Sequence, residues 1–432
     1  MIFSQTRIVL GILAAAVMLL PFAEGLLKNG LLAIPLLMPV IWFLGASRTR
    51  AYADRALLLL VSLSLSLTVC DLVLRPLIGS RLHYSPMNRH QCRLPVLPIL
   101  GRWDAMVDFS GSIYGDLAAM IGDPAFREPR TIEFRTDAQG FRNDAIPTPV
   151  EALVLGDSFA AGAGITQHGT FAHALAVRHG LSVYNLAYPG GPYDQYVNFS
   201  IETPKLLVAP GAELIWTLFT GNDLDDAGGE TWDLAALPWR NGVSAALVEY
   251  RTFRNRSPLR QLWEALQSRW SGGARQVTVG SLPDGRPMLF YNPHEVWGER
   301  TPVEVEQHPN FPKLRRTLQA MKEATDRMGL RTTIVILPTK GEVYRWVLAP
   351  RSPDDGSRSS GFAQAVIAAC QQISLRCWDS KPYLVEEAKR LFSTSRELLW
   401  WRDDTHLNDR GHRAVASFVE QEIWKKAGSG LW

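Results

Sequence analysis

Residues 152–158 read ALVLGDS, an apolar run that stops abruptly at Gly156. A short, uninterrupted apolar run that ends at glycine is typical of a parallel strand buried on both faces. Thr170–His179 then has helical spacing, and Val183–Asn185 is the next strand candidate. These residues predict the first strand–helix–strand unit of an α/β domain.

The same alternation continues to the end of the chain. Further strands are predicted at Leu214–Phe219, Thr332–Leu337 and Leu375–Trp378, and further helices at Tyr193–Glu202, Pro312–Met328, Phe362–Gln371 and Asp409–Lys426. Strands that alternate with helices predict a parallel, doubly wound sheet with helices on both faces. The carboxyl ends of such strands lie at one edge of the sheet, where α/β proteins bind their ligands.

Two stretches interrupt this pattern. Residues 224–310 are rich in Gly, Arg, Trp and Pro without a long periodic segment, and we expect an insertion there. Residues 77–150 form an irregular, Pro-rich lead-in, in which Thr131–Arg135 is a strand candidate. The turn residues 136–142 follow it, so we expect a hairpin that turns back there and covers the sheet edge.

The N-terminal region is mostly apolar. Three runs, Ile8–Ala23, Gly30–Ala46 and Ala56–Leu74, contain one charged residue among them, Asp71. Because a span needs roughly 17 to 25 apolar residues, we expect residues 1–76 to be a membrane anchor with three transmembrane helices. The alternative is a signal peptide followed by buried helices.

Positive charge predicts how such an anchor is oriented. Arg48, Arg50 and Arg55 lie between the second and third runs, and arginines mark the cytoplasmic side. The chain after Leu74 is then expected on the periplasmic side of the inner (cytoplasmic) membrane. Asp71 is expected at the outer interface, where its carboxylate reaches water.

Charge and cysteine content narrow the class of protein further. The net charge is only +3 and no basic stripe interleaves with aromatic residues, so we expect no nucleic-acid partner. Cys370 and Cys377 are seven residues apart, and either form a disulfide in an oxidising compartment or remain two free thiols. There is no Cys-x-x-Cys motif or His cluster, so no metal site is predicted.

Three predicted strand ends carry groups that acyl transfer uses. Ser158 supplies a hydroxyl and its own backbone N–H, Gly190 supplies an N–H that no Cβ shields, and Asn222 supplies a side-chain amide. Each also has a purely structural interpretation, as a helix cap, a Pro-Gly turn or a post-strand turn. Together they suggest a serine nucleophile beside oxyanion donors.

A base for this serine is predicted near the C-terminus. His406 lies three residues after Asp403, a spacing that lets the carboxylate hydrogen-bond the imidazole in a tight loop. Asp404 competes for that role, and we favour Asp403 on spacing. His412 is a second candidate base, but it falls in the closing helix, where a packing role is expected.

The blocks Gly-Asp-Ser-Phe, Asn185 to Gly191, Gly-Asn-Asp and Asp-x-x-His, in this order, resemble the SGNH (GDSL-type) hydrolase superfamily. The resemblance covers the stretch from about Glu151 to Lys426 apart from the insertion, within a domain expected over residues 151–432, and implies a flavodoxin-like sheet. It also implies Ser158 as nucleophile, His406 as base and Asp403 as its partner. The oxyanion donors that it implies are Ser158, Gly190 and Asn222. It implies no metal or organic cofactor.

The first block ends in Phe rather than Leu, which is similar to membrane-tethered, polysaccharide-modifying members such as the alginate-acetylation proteins. Pro338-Thr339-Lys340 resembles a Pro-x-Lys segment of these members. Lys340 therefore either faces the pocket or is a solvated loop lysine. Asp157 and Lys340 are kept as candidate substrate-binding residues.

Three functions fit this sequence. The first is a membrane-tethered serine esterase that removes O-acyl groups, expected to be acetyl, from a cell-envelope or exported polysaccharide. The second is an O-acetyltransferase that passes the acyl group to a glycan hydroxyl. Since three helices are too few for an acyl-transporting channel, it would need another membrane protein of a polysaccharide synthesis or export system. The third is a non-catalytic glycan-binding or scaffold subunit. The expected partners are an acylated glycan and the lipid bilayer.

Overall fold

The structure is a computed structural model. It describes residues 101–228, 276–348 and 358–424 without gaps, and residues 59, 62–63, 65–74, 87, 91–93, 257–259 and 262 in shorter pieces. The strands are β1 Gln91–Arg93, β2 Gly101–Trp103, β3 Asp108–Ile113, β4 Arg130–Arg135, β5 Val150–Leu155, β6 Val183–Asn185, β7 Val208–Phe219, β8 Val277–Ser281, β9 Pro287–Tyr291, β10 Arg331–Leu337 and β11 Arg376–Asp379. The α-helices are α1 Asp116–Ile121, α2 Ser158–Ala161, α3 Phe171–His179, α4 Pro192–Glu202, α5 Asn292–Glu299, α6 Pro302–Glu306, α7 Phe311–Arg327, α8 Lys340–Val343, α9 Arg345–Leu348, α10 Gly361–Gln372, α11 Lys381–Ser395 and α12 Asp409–Phe418.

Five strands form a parallel sheet in the order β11-β10-β7-β5-β6. Counted from β5, this is the flavodoxin-like order 2-1-3-4-5, in which the chain moves outward on one side of the first strand and then on the other. The change of direction leaves a crevice at the carboxyl ends of β5 and β7, and ligands of doubly wound sheets bind in such crevices. The residues after these two strands are therefore the ones that the topology brings together.

The strands are buried on both faces because their residues alternate between two hydrophobic clusters. Val154, Ile215 and Val335 pack on one face, against Leu175 of α3, Leu384 of α11 and Val415 of α12. Their neighbours along the strands, Leu153, Leu214 and Ile334, pack on the other face, against Tyr196 of α4, Leu314 of α7 and Val366 of α10. Alternation with a period of two thus produces two apolar faces, and each face is covered by helices.

Side-chain caps start several helices where the sequence changes from turn to helix. Thr170 accepts a hydrogen bond from the His173 N–H at the start of α3, and Ser360 accepts one from the Ala363 N–H at the start of α10. Asn408 accepts two at the start of α12. These caps satisfy backbone donors that have no partner within the helix.

The lead-in is more regular than its sequence suggests. β3 and β4 form an antiparallel hairpin in which Phe109 pairs with Phe134, and α1 lies between them in the chain. The partner of β4 therefore precedes it, whereas the predicted hairpin turned back after residue 135. The described part of the predicted insertion also contains regular structure, because β8 and β9 form a second antiparallel hairpin that leads directly into α5.

The prediction of transmembrane helices in front of the sheet is corrected by the structure. Within the described residues, no helix combines the length and the apolar character needed to cross a membrane. The first two apolar runs lie outside those residues. In the third run, residues 59, 62–63 and 65–74 are described, and all of them are helical. Asp71 is only 6% exposed and accepts hydrogen bonds from the Ser257 hydroxyl (2.5 Å) and the Leu259 N–H (3.3 Å), so its carboxylate is not at a water interface.

The chain groups into two compact units. One comprises Met1–His83 with Ala245–Ser268, and the other comprises Tyr84–Ser244 with Arg269–Trp432. The second unit contains the parallel sheet and all four sequence blocks. The boundaries proposed from sequence at residues 76 and 150 stay a prediction.

Cys370 at the end of α10 and Cys377 in β11 are joined by a disulfide, with a Cα–Cα distance of 6.2 Å. It closes a short loop at the edge of the sheet. Cys70, by contrast, is an exposed free thiol.

We expect the double change Cys370→Ala with Cys377→Ala to lower the free energy of unfolding by about 2.5 kcal/mol, because an eight-residue loop loses its constraint on the unfolded chain. Urea unfolding followed by tryptophan fluorescence measures this. Dithiothreitol should lower the stability of the wild-type protein by the same amount as the double change and leave the double variant unchanged. The control Cys70→Ser, which keeps the disulfide, should respond to dithiothreitol as the wild type does. A wild-type protein that is insensitive to dithiothreitol would contradict the expected contribution.

Candidate functional site

Gly156 and Asp157 shape the turn that carries Ser158. Gly156 has φ = +154°, and a Cβ there would collide with the Thr217 hydroxyl of the neighbouring strand β7. Asp157 caps the short helix α2 by accepting a hydrogen bond from the Phe159 N–H (2.9 Å). This turn places Ser158 as the first residue of α2, at the carboxyl end of β5, where its N–H has no acceptor within the helix.

Ser158 and His406 are in direct contact. The Ser158 Oγ lies 2.9 Å from His406 Nε2, across 248 residues of sequence. His406 Nδ1 in turn lies 2.7 Å from Asp404 Oδ1. Asp404 is buried, while the His406 side chain keeps 15% of its surface exposed. A hydroxyl, an imidazole and a buried carboxylate in this order have the geometry of a serine-hydrolase triad.

The carboxylate on His406 belongs to Asp404, which corrects the preference for Asp403. Asp403 Oδ2 accepts hydrogen bonds from the N–H groups of Gly115 and Glu128, both at 2.8 Å. Its Oδ1 accepts one from Arg130 Nη1 at 2.9 Å. The Asp403 side chain thus points away from the imidazole and into the lead-in. The Asp404 side chain instead points toward His406, and its Oδ1 also accepts a hydrogen bond from the His406 backbone N–H (3.1 Å).

Arg130 and Lys340 bind the loop that carries Asp403, Asp404 and His406. Arg130 bridges Asp403 and Asp404, with Nη2 at 2.6 Å from Asp404 Oδ2. The Lys340 ammonium group donates to the carbonyls of Trp401 (2.7 Å), Arg402 (3.1 Å) and Asp404 (3.0 Å). Lys340 is 3% exposed, and burial lowers its pKa to about 8. It is therefore neither a solvated loop lysine nor a pocket-facing one, because its donors are taken up by the loop that carries His406.

The charges in the triad stabilise one another. Burial alone would raise the pKa of the Asp404 carboxyl. The hydrogen bond and charge of His406, together with Arg130, outweigh burial and hold that pKa well below its usual range. Burial likewise acts to lower the pKa of His406, but the hydrogen bond and charge of Asp404 outweigh it and raise that pKa. The imidazole is thus prepared to accept a proton.

Two acidic residues near Ser158 serve structural roles. Asp157 is 5% exposed, and burial raises its pKa to about 6. Asp223 accepts a hydrogen bond from the Phe219 N–H (2.7 Å), and burial and the charge of Asp157 raise its pKa well above the usual range. The predicted substrate contact of Asp157 is corrected to a helix cap, since one carboxylate oxygen binds the backbone of α2 and the residue is enclosed.

Besides Ser158, the predicted oxyanion donors Gly190 and Asn222 lie on the loops after β6 and β7. Asn222 Nδ2 donates to Asp226 Oδ2 at 2.8 Å, which leaves the second amide proton available. The loops meet at Gly191, where a Cβ would collide with the backbone oxygen of Asp226. Gly190 is next to that contact, and its carbonyl accepts from Gln195 Nε2 (2.8 Å). Close packing thus explains the second glycine of the pair, and the first remains a candidate donor.

Asn185 of the second block and His412, the second candidate base, have packing roles. Asn185 is buried and links β6 to α2, since its Nδ2 donates to the Ala160 carbonyl (3.3 Å). His412 is fully buried in α12, where its Nδ1 accepts from the Phe171 N–H (3.2 Å). Burial lowers the pKa of His412 to about 3, so the packing role expected for it agrees with its surroundings.

Several residues of the site could not be recognised from the sequence. Asp116 at the start of α1 accepts hydrogen bonds from the Thr405 N–H (2.8 Å) and hydroxyl (2.6 Å), and Arg130 comes from β4. His294 in α5 packs edge-on against Phe219, with ring centroids 5.2 Å apart. Burial and the charge of His406 lower the pKa of His294 to about 4. The lead-in and the insertion supply these residues, and neither has a motif or period that marks them.

Asp116, Asp404 and His406 form a trio of possible metal ligands whose atoms lie within 4.8 Å of one another. A cation there would meet the guanidinium of Arg130, 2.6 Å from Asp404, and the ammonium of Lys340. It would also have to separate Asp404 from His406. This trio, taken from the described residues, is therefore better suited to sharing protons in hydrogen bonds than to binding a metal ion.

The fold and site define a class of protein: a parallel, flavodoxin-like α/β domain with a Ser–His–Asp group at the carboxyl edge of its sheet. No protein-family model matches the chain, and no curated protein matches it. Among solved structures, the crystal structure of protein YxiM from Bacillus subtilis is similar, at 12% identity over 71% of this chain and 70% of that one, with a TM-score of 0.34. A TM-score of this size does not establish a shared fold.

The two adjacent aspartates should differ sharply when each is changed to asparagine. We expect Asp404→Asn to lower kcat for ester hydrolysis about 10³- to 10⁴-fold, because the wrong histidine tautomer becomes accessible, and also to lower stability, because Asp404 too is paired with Arg130 in the interior. We expect Asp403→Asn to leave kcat within about tenfold but to lower the free energy of unfolding by about 3 kcal/mol, because it breaks a buried ion pair.

Steady-state kinetics and urea unfolding of both variants measure the two effects. Asp108→Asn is the matched control, because its carboxylate is exposed. The assignment of Asp404 would be overturned if Asp403→Asn were the variant that lost kcat.

Proposed function

We propose that the protein is a serine esterase that removes O-acyl groups, with acetyl the expected one, from a polysaccharide. The single observation that carries this proposal is the contact of Ser158 Oγ with His406 Nε2 at 2.9 Å, with Asp404 on the other ring nitrogen. That arrangement activates a hydroxyl for attack on a carbonyl carbon.

The proposed reaction proceeds through an acyl-enzyme. Ser158 Oγ forms a bond to the ester carbonyl carbon while its proton passes to His406 Nε2. The tetrahedral intermediate collapses when the bond to the leaving alkoxy oxygen breaks, and the imidazolium gives its proton to that oxygen. Water then attacks the acyl carbon while His406 takes the water proton. Collapse of the second intermediate breaks the bond to Ser158 Oγ, the carboxylic acid leaves, and the imidazolium returns its proton to Oγ.

The developing oxyanion needs hydrogen-bond donors. The N–H of Ser158, the N–H of Gly190 and the remaining amide proton of Asn222 are the proposed donors. The position of Ser158 and Asn222 after adjacent strands β5 and β7 supports this, as does the hydrogen bond that holds the Asn222 amide to Asp226.

We further propose that the protein works outside the cytoplasm, in a periplasmic or otherwise oxidising compartment. The Cys370–Cys377 disulfide supports this, since such bonds persist mainly where thiols are not kept reduced. An acylated glycan of the cell envelope or an exported polymer is the class of substrate found there. The acyl-enzyme could also pass its acyl group to a sugar hydroxyl, and the experiment below separates the two acceptors.

We expect the purified full-length protein to release acetate from 4-nitrophenyl acetate and from an acetylated oligosaccharide. Ser158→Ala should lower kcat at least 10³-fold, and Ser112→Ala, an exposed serine of β3, should not change it. A fluorophosphonate probe should label the wild type and the Ser112→Ala variant but not Ser158→Ala.

Adding an unacetylated oligosaccharide acceptor identifies where the acyl group goes. Free acetate at an unchanged rate supports the esterase, and acetylated sugar formed at the expense of acetate supports a transferase. A protein that neither turns over these esters nor reacts with the probe would refute both activities and leave a glycan-binding or scaffold role.

A further inference from the structure

We propose that Asp116, acting through the Thr405 hydroxyl, is a positioning residue that holds His406 in the tautomer that accepts the Ser158 proton. The inference rests on the proposed function of the Ser158–His406 pair. Asp116 belongs to α1 in the lead-in, 289 residues before Thr405.

The contacts form a chain from Asp116 to the imidazole. The Thr405 N–H donates to Asp116 Oδ1 (2.8 Å), and the Thr405 hydroxyl lies 2.6 Å from Asp116 Oδ2. The same hydroxyl oxygen lies 3.1 Å from His406 Nδ1. Asp116 Oδ2 itself is 3.9 Å from Nδ1, too far for a hydrogen bond. Asp116 therefore reaches the imidazole through Thr405.

The direction of the Thr405 hydroxyl proton determines how this series of contacts acts on His406. A threonine hydroxyl has one proton and two lone pairs. An ionised Asp116 can only accept, so the Thr405 proton points to it and a lone pair points to His406 Nδ1. That lone pair favours a proton on Nδ1, as Asp404 does from the other side. Nε2 is then left free to take the Ser158 proton.

Protonation of Asp116 would weaken this control. A protonated carboxyl can donate to Thr405, which frees the hydroxyl proton to turn toward Nδ1 and compete with the required tautomer. Burial and the charge of Asp404 raise the pKa of Asp116 to about 7, against the opposing effects of His406 and the Thr405 hydrogen bonds. The state of Asp116 thus changes within the neutral pH range.

Several titratable groups surround Asp116, Thr405 and His406. The titratable groups that face His406 are Asp404, Asp116, Asp157, His294 and His412. Those that face Asp116 are Asp404, His406, Tyr291 and the Lys340 ammonium group. Of these, Asp116 is the carboxylate that contacts the imidazole through a hydroxyl rather than directly.

Asp116 is held in place by the backbone of its own helix. The Ala118 N–H donates to the Asp403 carbonyl (3.1 Å), and the Gly115 N–H donates to the Asp403 carboxylate (2.8 Å). A Cβ on Gly115 would collide with the Asp403 backbone, so α1 lies directly against the loop. Because α1 is already fixed against this loop, the Asp116 carboxylate can orient Thr405 without a further loss of conformational freedom.

Three variants test the proposal through the pH profile of kcat/KM on 4-nitrophenyl acetate. Asp116→Asn should lower the plateau about tenfold. It should also move the acid limb to lower pH, because a negative charge that raises the pKa of His406 is removed. Thr405→Val should lower the plateau similarly and also move the acid limb to lower pH, because His406 Nδ1 loses the hydroxyl acceptor and Asp116, without the hydroxyl hydrogen bond that favours its charged form, raises the pKa of His406 less. Thr405→Ser keeps the hydroxyl and should restore a profile within about twofold of wild type.

A measurement without substrate tests the role of Asp116 independently of the proposed esterase activity. The low-field Nδ1–H proton resonance of His406, assigned by its loss in His406→Gln, is followed against pH by NMR. Asp116→Asn should lower the pKa of His406, and the exposed control Asp108→Asn should not. An unchanged His406 titration in Asp116→Asn would overturn the inference, whether or not the protein hydrolyses esters. A shifted titration in a protein without turnover would leave the inference standing and refute the esterase.

Discussion

Arg130 brings the carboxylates of Asp403 and Asp404 together in the interior, and the loop that carries His406 takes its shape from that ion network. Two adjacent carboxylates repel each other strongly when buried, so they require positive charge and hydrogen-bond donors at close range. The guanidinium group supplies the charge on one side. The buried Lys340 ammonium supplies it on the other side through the loop carbonyls. With both cations in place, Asp403 can bind the lead-in while Asp404 remains ionised beside the imidazole.

The site is assembled from four parts of the chain that sequence alone would treat as separate, one of which is the loop before α12 that carries Asp404 and His406. The sheet supplies Ser158 and Asn222 at the ends of adjacent strands. The lead-in supplies Arg130 and Asp116, and the hairpin and helix of the predicted insertion place His294 beside Phe219. The lead-in is therefore a structural part of the site, because its backbone donors and its guanidinium satisfy the buried acids of the loop.

Local patterns explain why much of the fold could be predicted and some of the site could not. Each of the strands β5, β6, β7, β10 and β11 overlaps a strand predicted from sequence, although β7 begins before the predicted Leu214 and β11 runs from Arg376 to Asp379. The helix Lys381–Ser395 was missed, although it packs Leu384 and Ala388 into the core. Lys340 was expected on a loop and lies buried, since no local signal indicates that three carbonyls converge on its ammonium group. Hydropathy likewise predicted transmembrane helices that the described residues do not contain.

The sequence by itself determined the parallel sheet and the residue types at its carboxyl edge, because strand period, apolar runs and turn residues are properties of neighbouring positions. It also indicated Ser158 and His406 as the pair to be brought together. Only the tertiary structure decided that Asp404, and not Asp403, faces the imidazole. Adjacent residues in a tight loop point in different directions. Which one faces inward depends on the Gly115 and Glu128 N–H groups and on Arg130, more than 270 residues away in the chain.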